Sequence, residues 1–387
     1  MTDAVQLEPF RVAVDDAVLD DLRARLARTR WPAPGPGGAW DGGTNVGFLR
    51  ELCAYWRDGF DWRRAEARLN TWPHVVARVD GQRLHAIHAR SPHPQARPLV
   101  LLHGWPGSVA EFLRVIDPLI DPTAHGGDAA DAFHVVAPSL PGFGFSGPTT
   151  EPGWHPRRIA TAVGALMAAL GYARYGAQGG DYGAMVATQL GYVDAVHVAG
   201  IHLNMVIAMR PKVDDPWAGV TDAERADHAG AVARTPDISG YQLIQRSRPQ
   251  TLGAGLHDSP AGLAAWIVEK FREWSDCGGD LTSRFSFDDL LTNITIYWVT
   301  GTITSSCRLY AETARGGRGV SAPDTKVPVP MGHARFPAEG FRAPRVWVEH
   351  YYDLRRWTDM PRGGHFAAME EPALLVDDVR AFFRDLG

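Results

Sequence analysis

Residues 178–183 read QGGDYG, and this short stretch decides the fold. Gly179 and Gly183 stand two residues before and after Asp181, the spacing of a nucleophile elbow, in which a strand turns sharply into a helix and exposes the central side chain. A carboxylate is already ionised at neutral pH. Asp181 can therefore attack a saturated carbon and form an ester with the enzyme, a reaction that a serine would not favour.

The chain around this elbow alternates between apolar strands, glycine loops and helices. Strands are predicted at 98–102, 133–138, 175–179 and 198–206, and an amphipathic helix at 158–170. Continuous apolar runs of this length are typical of strands buried in a parallel sheet. Together with the elbow they predict an α/β-hydrolase fold, a mostly parallel central sheet flanked by helices.

Changes in the residue pattern divide the chain into four predicted parts. Residues 1–95 are predicted to form a helical leader that wraps the core, with a hairpin at 74–89, and 96–209 the first part of the core. Residues 210–285 carry helix-start signals and are predicted to form a helical lid. Residues 286–387 complete the core, with strands predicted at 326–330 and 355–360 and a closing helix at 377–386.

Composition limits the partners of the protein. A net charge of −5 and a pI near 6.3 argue against nucleic acid or an anionic membrane as a partner. The start of the chain shows no signal peptide, and 18 apolar residues never run together, so no membrane anchor is expected. The three cysteines are widely spaced, which suggests reduced thiols in a cytoplasmic protein. Residues 142–147 match G-x-G-x-x-G, but no helix follows to bind a pyrophosphate.

The histidine and the acid are sought by chain order, since this fold places nucleophile, acid and histidine in that sequence. His365 lies in a glycine-bearing loop after the last predicted strand and before the closing helix. Four candidate acids lie in the stretch before it, and Glu339 is favoured because it follows the penultimate strand. The alternatives left open are Glu349, Asp353 and Asp359.

Two backbone N–H groups are expected to form an oxyanion hole, which stabilises negative charge developing on an acyl oxygen. Residues 103–106, HGWP, follow the first core strand and supply the N–H of Trp105. The second donor is the N–H of Tyr182, directly after the nucleophile.

Several motifs resemble one family. The stretches 179–183 (GGDYG), 103–108 (HGWPGS) and 362–366 (RGGHF) are similar to those of the microsomal and juvenile-hormone type of epoxide hydrolase, as are 239–260 and 297–303. The resemblance covers nearly the whole chain. It implies Asp181 as the nucleophile, His365 as the water-activating base and Glu339 as its acid, with no cofactor or metal.

The same resemblance implies two lid-side tyrosines, Tyr241 and Tyr310, as acids toward the epoxide oxygen. A phenol with a pKa near 10 suits donation to an incipient alkoxide. This chain departs from many relatives in carrying Tyr182 where they have tryptophan, and it lacks the N-terminal anchor of the microsomal enzymes. It looks like a soluble bacterial member of the family, compatible with secondary metabolism.

The predicted function is hydrolysis of an epoxide to a vicinal diol, with the epoxide and water as partners. Trp266 and Trp274 in the lid, together with Trp217, suggest an apolar or aromatic substrate. A haloalkane or haloacid dehalogenase would use the same Asp–His–acid chemistry, and a non-catalytic hydrolase-fold binding protein is an alternative of another class. The natural epoxide, its stereochemistry and assembly as a homodimer stay open.

Overall fold

A computed structural model describes residues 5–386, apart from the side chain of Asp237. Within these residues, one nine-stranded sheet runs in the order β1-β2-β3-β5-β4-β6-β7-β8-β9. Strands β1, β2, β3 and β5 pair antiparallel, and the pairs from β5 through β4 to β9 are parallel. The strands are β1 (Leu7–Phe10), β2 (His74–Val79), β3 (Gln82–Ala89), β4 (Arg97–Leu102), β5 (Phe133–Pro138), β6 (Tyr175–Gly179), β7 (Val198–Leu203), β8 (Pro330–Arg335) and β9 (Asp353–Asp359).

Helices surround the sheet and fill the long connection between β7 and β8. They are α1 (Asp16–Ala27), α2 (Val46–Asp58), α3 (Trp62–Leu69), α4 (Ile116–Ile120), α5 (Pro156–Ala169), α6 (Asp181–Val193), α7 (Asp222–Ile238), α8 (Gly240–Ser247), α9 (Pro249–Asp258), α10 (Pro260–Trp274), α11 (Phe287–Thr300), α12 (Ile303–Gly316), α13 (Arg345–Tyr351), α14 (Ala367–Glu370) and α15 (Pro372–Asp385).

Both faces of the sheet are buried, which is why its strands read as continuous apolar runs. Along β4, Val100 and Leu102 pack into one hydrophobic cluster with helix α5, and Leu99 and Leu101 pack into a second cluster with helix α15. Successive side chains of a strand point to opposite faces, so each residue of this run has its own apolar environment. The predicted α/β-hydrolase architecture is confirmed.

Most predicted elements lie where the sequence indicated. The hairpin at 74–89 is formed by β2 and β3, and the strands at 133–138 and 175–179 have the predicted bounds. Helix α7 begins with the predicted capping box between Thr221 and Glu224. Strand β1 and helix α3 were not predicted; β1 is short, and it joins the sheet by pairing with β2.

One predicted strand is wrong. The apolar alternation at 326–330 suggested a strand, but the strand in this region is β8, which starts at Pro330. Pro328 and Pro330 lack the N–H groups that a strand interior needs, and proline is tolerated at the first residue of a strand. Strand β8 itself is difficult to predict from the sequence, because Gly332 and His333 interrupt its apolar pattern.

The predicted leader contributes strands to the central sheet, whereas the predicted lid contributes helices. The hairpin of the leader extends the central sheet through the pairing of β3 with β5. Among the described residues the chain forms no strand between β7 and β8, so helices continue through α11 and α12 after the predicted end of the lid. The division of the chain at residues 95, 209 and 285 stays a prediction.

The elbow itself depends on close contact between backbones. Asp181 has a φ of 47°, the left-handed conformation that side chains rarely adopt. A Cβ on Gly179 would lie 2.4 Å from the backbone of Gly183, and a Cβ on Gly183 would lie 1.8 Å from the carbonyl oxygen of Leu102. The turn is therefore possible only with glycine at both positions.

We predict that Gly183→Ala destabilises the protein by about 3 kcal/mol, because the new methyl group has to displace the backbone of β4. Urea unfolding followed by circular dichroism would measure the change. Gly255→Ala is the matched control, since nothing lies within 4 Å of a Cβ there and alanine is the better helix former. Equal stability for the two variants would contradict this account of the elbow.

Candidate active site

The site lies where parallel strands end at the same edge of the sheet. Trp105 follows β4, Asp181 follows β6, Glu339 follows β8 and His365 follows β9. Strand β4 lies between β5 and β6, so the strand order reverses there, and ligands of open α/β sheets bind outside the carboxyl ends of strands at such a point. The sheet thus brings together residues that are far apart in the chain.

Asp181 is held by two backbone donors and one imidazole. The N–H of Trp105 donates to its Oδ1 at 2.8 Å, and the N–H of Tyr182 also donates to this carboxylate. Its Oδ2 lies 3.7 Å from Nε2 of His365. Burial raises the pKa of Asp181 above its usual value, although the imidazole and the two N–H groups oppose the rise.

His365 is oriented by Glu339. Its Nδ1 donates to Oε2 of Glu339 at 2.8 Å, which leaves Nε2 for the reaction side. Burial alone would lower the pKa of His365, but the carboxylates of Glu339 and Asp181 outweigh it and raise the pKa to about 9. Burial likewise opposes ionisation of Glu339, yet the imidazole and the N–H of Phe341 hold the pKa of this carboxyl below its usual range.

The resting histidine is therefore an imidazolium at neutral pH, balanced between two carboxylates. Charge balance of this kind lets Asp181 remain ionised in a poorly hydrated site, where an isolated charge would be neutralised by a shifted pKa. Of the acids that sequence left open, only Glu339 lies against His365. Glu349 pairs with Arg345, Asp353 with Arg355 and Asp359 with Arg335.

The two tyrosines, Tyr241 on α8 and Tyr310 on α12, pack against the aromatic rings of Trp105 and Tyr182 beside this carboxylate. Tyr241 is stacked on Trp105 with ring centroids 5.2 Å apart, and Tyr310 lies edge-on to Tyr182 at 4.9 Å. The rings of Tyr241 and Tyr310 also pack edge-on against each other, with centroids 5.8 Å apart. Burial raises the pKa of both phenols, and the charge of Asp181 adds to it, so both are protonated donors.

The tryptophans predicted to line the pocket have different positions. Trp274, at the end of α10, packs 5.0 Å from the ring of His365 and 5.2 Å from that of Tyr241. The indole N–H of Trp266 donates to the side-chain oxygen of Gln245, a buried residue of helix α8. Trp217 packs instead against Trp347 and His228, so it contributes to packing around α7 and α13.

The loop of His365 is tied to the end of the lid. The N–H of His365 donates to the carbonyl oxygen of Trp274 at 3.0 Å, and the N–H of Gly363 donates to Asp276 at 2.9 Å. Glu370 accepts from the N–H groups of Asp276 and Phe366. These bonds hold the loop in place, and the loop positions the imidazole.

Sequence reasoning missed a third carboxyl group at the site. Glu111 lines the same small cavity as Asp181 and His365. In the sequence, Glu111 is distinguished only by its position three residues after Ser108. This is the spacing of a capping box, in which the acid lies at the solvated start of a helix. Ser108 does cap the 3-10 turn Val109–Arg114, but the carboxyl of Glu111 turns inward and accepts from the N–H of Gly104.

In the described part of the chain, no group of three or more His, Cys, Asp and Glu side chains is placed to hold a metal ion. Nor is any helix of residues 5–386 long and apolar enough to span a membrane. The polar groups of the site are donors, a carboxylate pair and an imidazole. Such a set can bind an electrophile at Asp181 and a water molecule at His365.

Fold and site together define an α/β-hydrolase with an aspartate at the elbow. The chain matches the family model described as the epoxide hydrolase N terminus over residues 7–112, and that of the alpha/beta hydrolase fold over residues 97–229. It is 48% identical to a protein of Stigmatella aurantiaca named "Putative epoxide hydrolase", over 98% of this chain and 85% of that one. It is 37% identical to epoxide hydrolase 1 of Sus scrofa, over 97% and 88% of the two chains.

Among solved structures, the juvenile hormone epoxide hydrolase of the silkworm Bombyx mori superposes with a TM-score of 0.89 at 30% identity, covering 99% of this chain and 95% of that one. The epoxide hydrolase of Aspergillus niger superposes with a TM-score of 0.87 at 30% identity, covering 99% and 97%. The chain belongs to the epoxide hydrolase family.

The charge balance of the site leads to a prediction about His365. Its proton should be lost near pH 9, and Glu339→Gln should lower that pKa because one of the carboxylates that favour the imidazolium is removed. Proton NMR titration of the imidazole resonances would measure both values. Glu349→Gln, at an exposed helix position, should leave the titration unchanged. A His365 that titrates near its ordinary value in the unmodified protein would contradict the proposed charge balance.

Proposed function

We propose that this protein hydrolyses an apolar or aromatic epoxide to a vicinal diol through an ester on Asp181. One observation carries the proposal: the carboxylate of Asp181 lies 3.7 Å from the imidazole of His365, and its charge raises the pKa of two neighbouring phenols, Tyr241 and Tyr310. A nucleophile, a base for water and two donors for a leaving oxygen are what ring opening followed by ester hydrolysis requires.

In the first step, Oδ2 of Asp181 attacks one ring carbon and the bond from that carbon to the epoxide oxygen breaks. Tyr241 and Tyr310 hydrogen-bond the oxygen, and one of them transfers its proton to the developing alkoxide. The side chain of Gln242 donates to the hydroxyl oxygen of Tyr241 at 2.9 Å, which helps to stabilise the tyrosinate so formed. The product is an alkyl ester, with the new hydroxyl group still attached to the substrate.

Formation of the ester changes the protonation of His365. The carboxylate of Asp181 is one of the charges that raise the pKa of the imidazole, and esterification removes that charge. The pKa of His365 therefore falls, and its proton becomes available to restore the tyrosine through solvent. A neutral imidazole, oriented by Glu339, is then ready to act as a base.

In the second step, Nε2 of His365 takes a proton from water while the water oxygen attacks the ester carbonyl. The negative charge on the carbonyl oxygen is stabilised by the N–H groups of Trp105 and Tyr182; in the resting state the N–H of Trp105 already donates to Oδ1. The bond from the carbonyl carbon to the substrate oxygen then breaks, and the leaving alkoxide takes the second hydrogen of the attacking water from the carboxyl group of Asp181. Asp181 returns as a carboxylate and His365 as an imidazolium, so the protons balance.

The surroundings of Asp181 support an apolar substrate. Trp105, Tyr241, Tyr310 and Trp274 form a set of aromatic rings packed against one another beside the carboxylate. Aromatic walls with few polar groups suit a substrate whose only polar atom near the ring carbons is the epoxide oxygen.

For the location of the protein we propose the cytoplasm, supported by three buried cysteines that form no disulfide.

We predict that His365→Gln forms the ester but does not hydrolyse it. An enzyme with the mass of one added substrate should accumulate, because the base for water is missing while Asp181 remains a nucleophile. Intact-protein mass spectrometry after mixing with styrene oxide would detect it. In the unmodified enzyme, repeated turnover in ¹⁸O-water should place heavy oxygen in the peptide that contains Asp181.

Asp181→Asn is the matched control, since it keeps the shape of the side chain and removes the nucleophile. It should form no adduct and incorporate no label. Activity of this variant that survives without deamidation back to aspartate would contradict the ester mechanism, as would a His365→Gln enzyme that shows no adduct with a substrate of the unmodified protein.

Ring opening should depend on the two phenols. Tyr241→Phe and Tyr310→Phe each remove one donor to the developing alkoxide, and we expect each to lower kcat on the order of 10²-fold. Turnover of styrene oxide and of aliphatic epoxides, with chiral analysis of the diols, would measure this. A haloalkane needs no donor to an alkoxide, so halide release that persists in both variants would favour the dehalogenase alternative.

A further inference from the structure

Glu111 is a partly buried carboxyl group that the two steps above leave unused. Together with Asp181 and His365 it lines a cavity of about 10 Å³, close to the volume that one water molecule needs. The other walls include the side-chain amides of Gln178 and Asn204, which are hydrogen-bonded to each other, and the apolar side chains of Phe112, Phe366 and Leu375. The cavity thus combines one base, one ester-forming carboxyl and one further carboxyl around a water-sized space.

The loop after β4 is shaped around this carboxyl. A Cβ on Gly107 would lie 1.5 Å from Oε1 of Glu111, and a Cβ on Gly104 would lie 2.2 Å from Oδ1 of Asp181. The N–H of Gly104 donates to Glu111. The two glycines therefore allow the loop to pass close to both carboxyl groups, and the same loop supplies the oxyanion donor of Trp105.

We propose that Glu111 positions the water that hydrolyses the ester, accepting one hydrogen of this water while Nε2 of His365 accepts the other. The proposal rests on the ester mechanism proposed above and assigns one more residue to its second step. The proton that moves goes to His365, the water oxygen bonds to the ester carbonyl carbon of Asp181, and Glu111 gains and loses no proton. Glu111 is a positioning residue.

The protonation state of Glu111 fits this role. Burial raises its pKa to about 8, and the neighbouring Asp181 adds to the rise against the opposing effect of His365. At neutral pH the side chain is then a neutral acid, whose carbonyl oxygen accepts a hydrogen bond without competing with His365 for the proton. A third negative charge beside His365 and Asp181 is avoided.

Single-turnover reactions with excess enzyme separate the two steps and test the proposal. Styrene oxide is the first probe, replaced if necessary by the first epoxide of the panel that the unmodified enzyme turns over. In Glu111→Met, which keeps the length of the side chain and removes the acceptor, ester formation should keep its rate. Ester decay should slow on the order of 10²-fold, so that the adduct accumulates.

Glu111→Gln is the matched variant, because its amide oxygen can accept the same hydrogen bond. Its ester decay should lie within about tenfold of that of the unmodified enzyme. The proposal is overturned if Glu111→Met leaves ester decay unchanged, if it slows both steps alike, or if the glutamine variant is no better than the methionine variant. Should Glu111→Met fail to fold, Glu111→Asp, whose shorter side chain withdraws the acceptor, must slow ester decay in its place.

The result for His365→Gln separates the two proposals. If that variant accumulates the ester and Glu111→Met does not, only the role of Glu111 fails. If neither variant accumulates it, the ester mechanism itself fails.

Discussion

The site depends on keeping one negative charge ionised at a place that water hardly reaches. The side chain of Asp181 is 15% exposed, and an uncompensated carboxylate there would take up a proton and lose its nucleophilicity. The imidazole of His365 and two backbone N–H groups oppose this protonation. Three features bring those groups to one carboxylate: the elbow glycines, the loop after β4 and the loop that carries His365.

The same charge also makes the two steps follow each other. While Asp181 is ionised, its charge adds to that of Glu339 in raising the pKa of His365. In the proposed mechanism the ester removes the charge of Asp181, so the pKa of His365 falls only after a substrate has reacted. Electrostatic coupling between two side chains would then favour the order of the two steps.

Local pattern and chain order were enough to predict Asp181 and His365, and they made Glu339 the favoured one of four candidate acids. Asp181 is marked by its glycines, and His365 and Glu339 follow strands whose carboxyl ends share one edge. The tyrosines were not predictable in this way, because Tyr241 and Tyr310 lie on separate helices, α8 and α12, whose packing no local pattern encodes; only the family resemblance indicated them. Glu111 was hidden because its spacing from Ser108 is that of a cap, and Trp217 was misleading because an aromatic residue looks the same in a pocket and in a packing contact.

The bonds between the loop of His365 and the end of α10 have a consequence for how substrate enters. If the lid lifted as one body, the carbonyl of Trp274 and the carboxylate of Asp276 would leave with it, and the imidazole would lose its alignment. An enzyme opened in that way would be disarmed until it closed. Helix α7 is bonded instead to the segment around Glu339, because His228 contacts the carbonyl oxygen of Arg342 and Asp227 pairs with Arg335. Movement at either end of these helices would therefore disturb one of the two loops that hold the imidazole and its carboxylate partner.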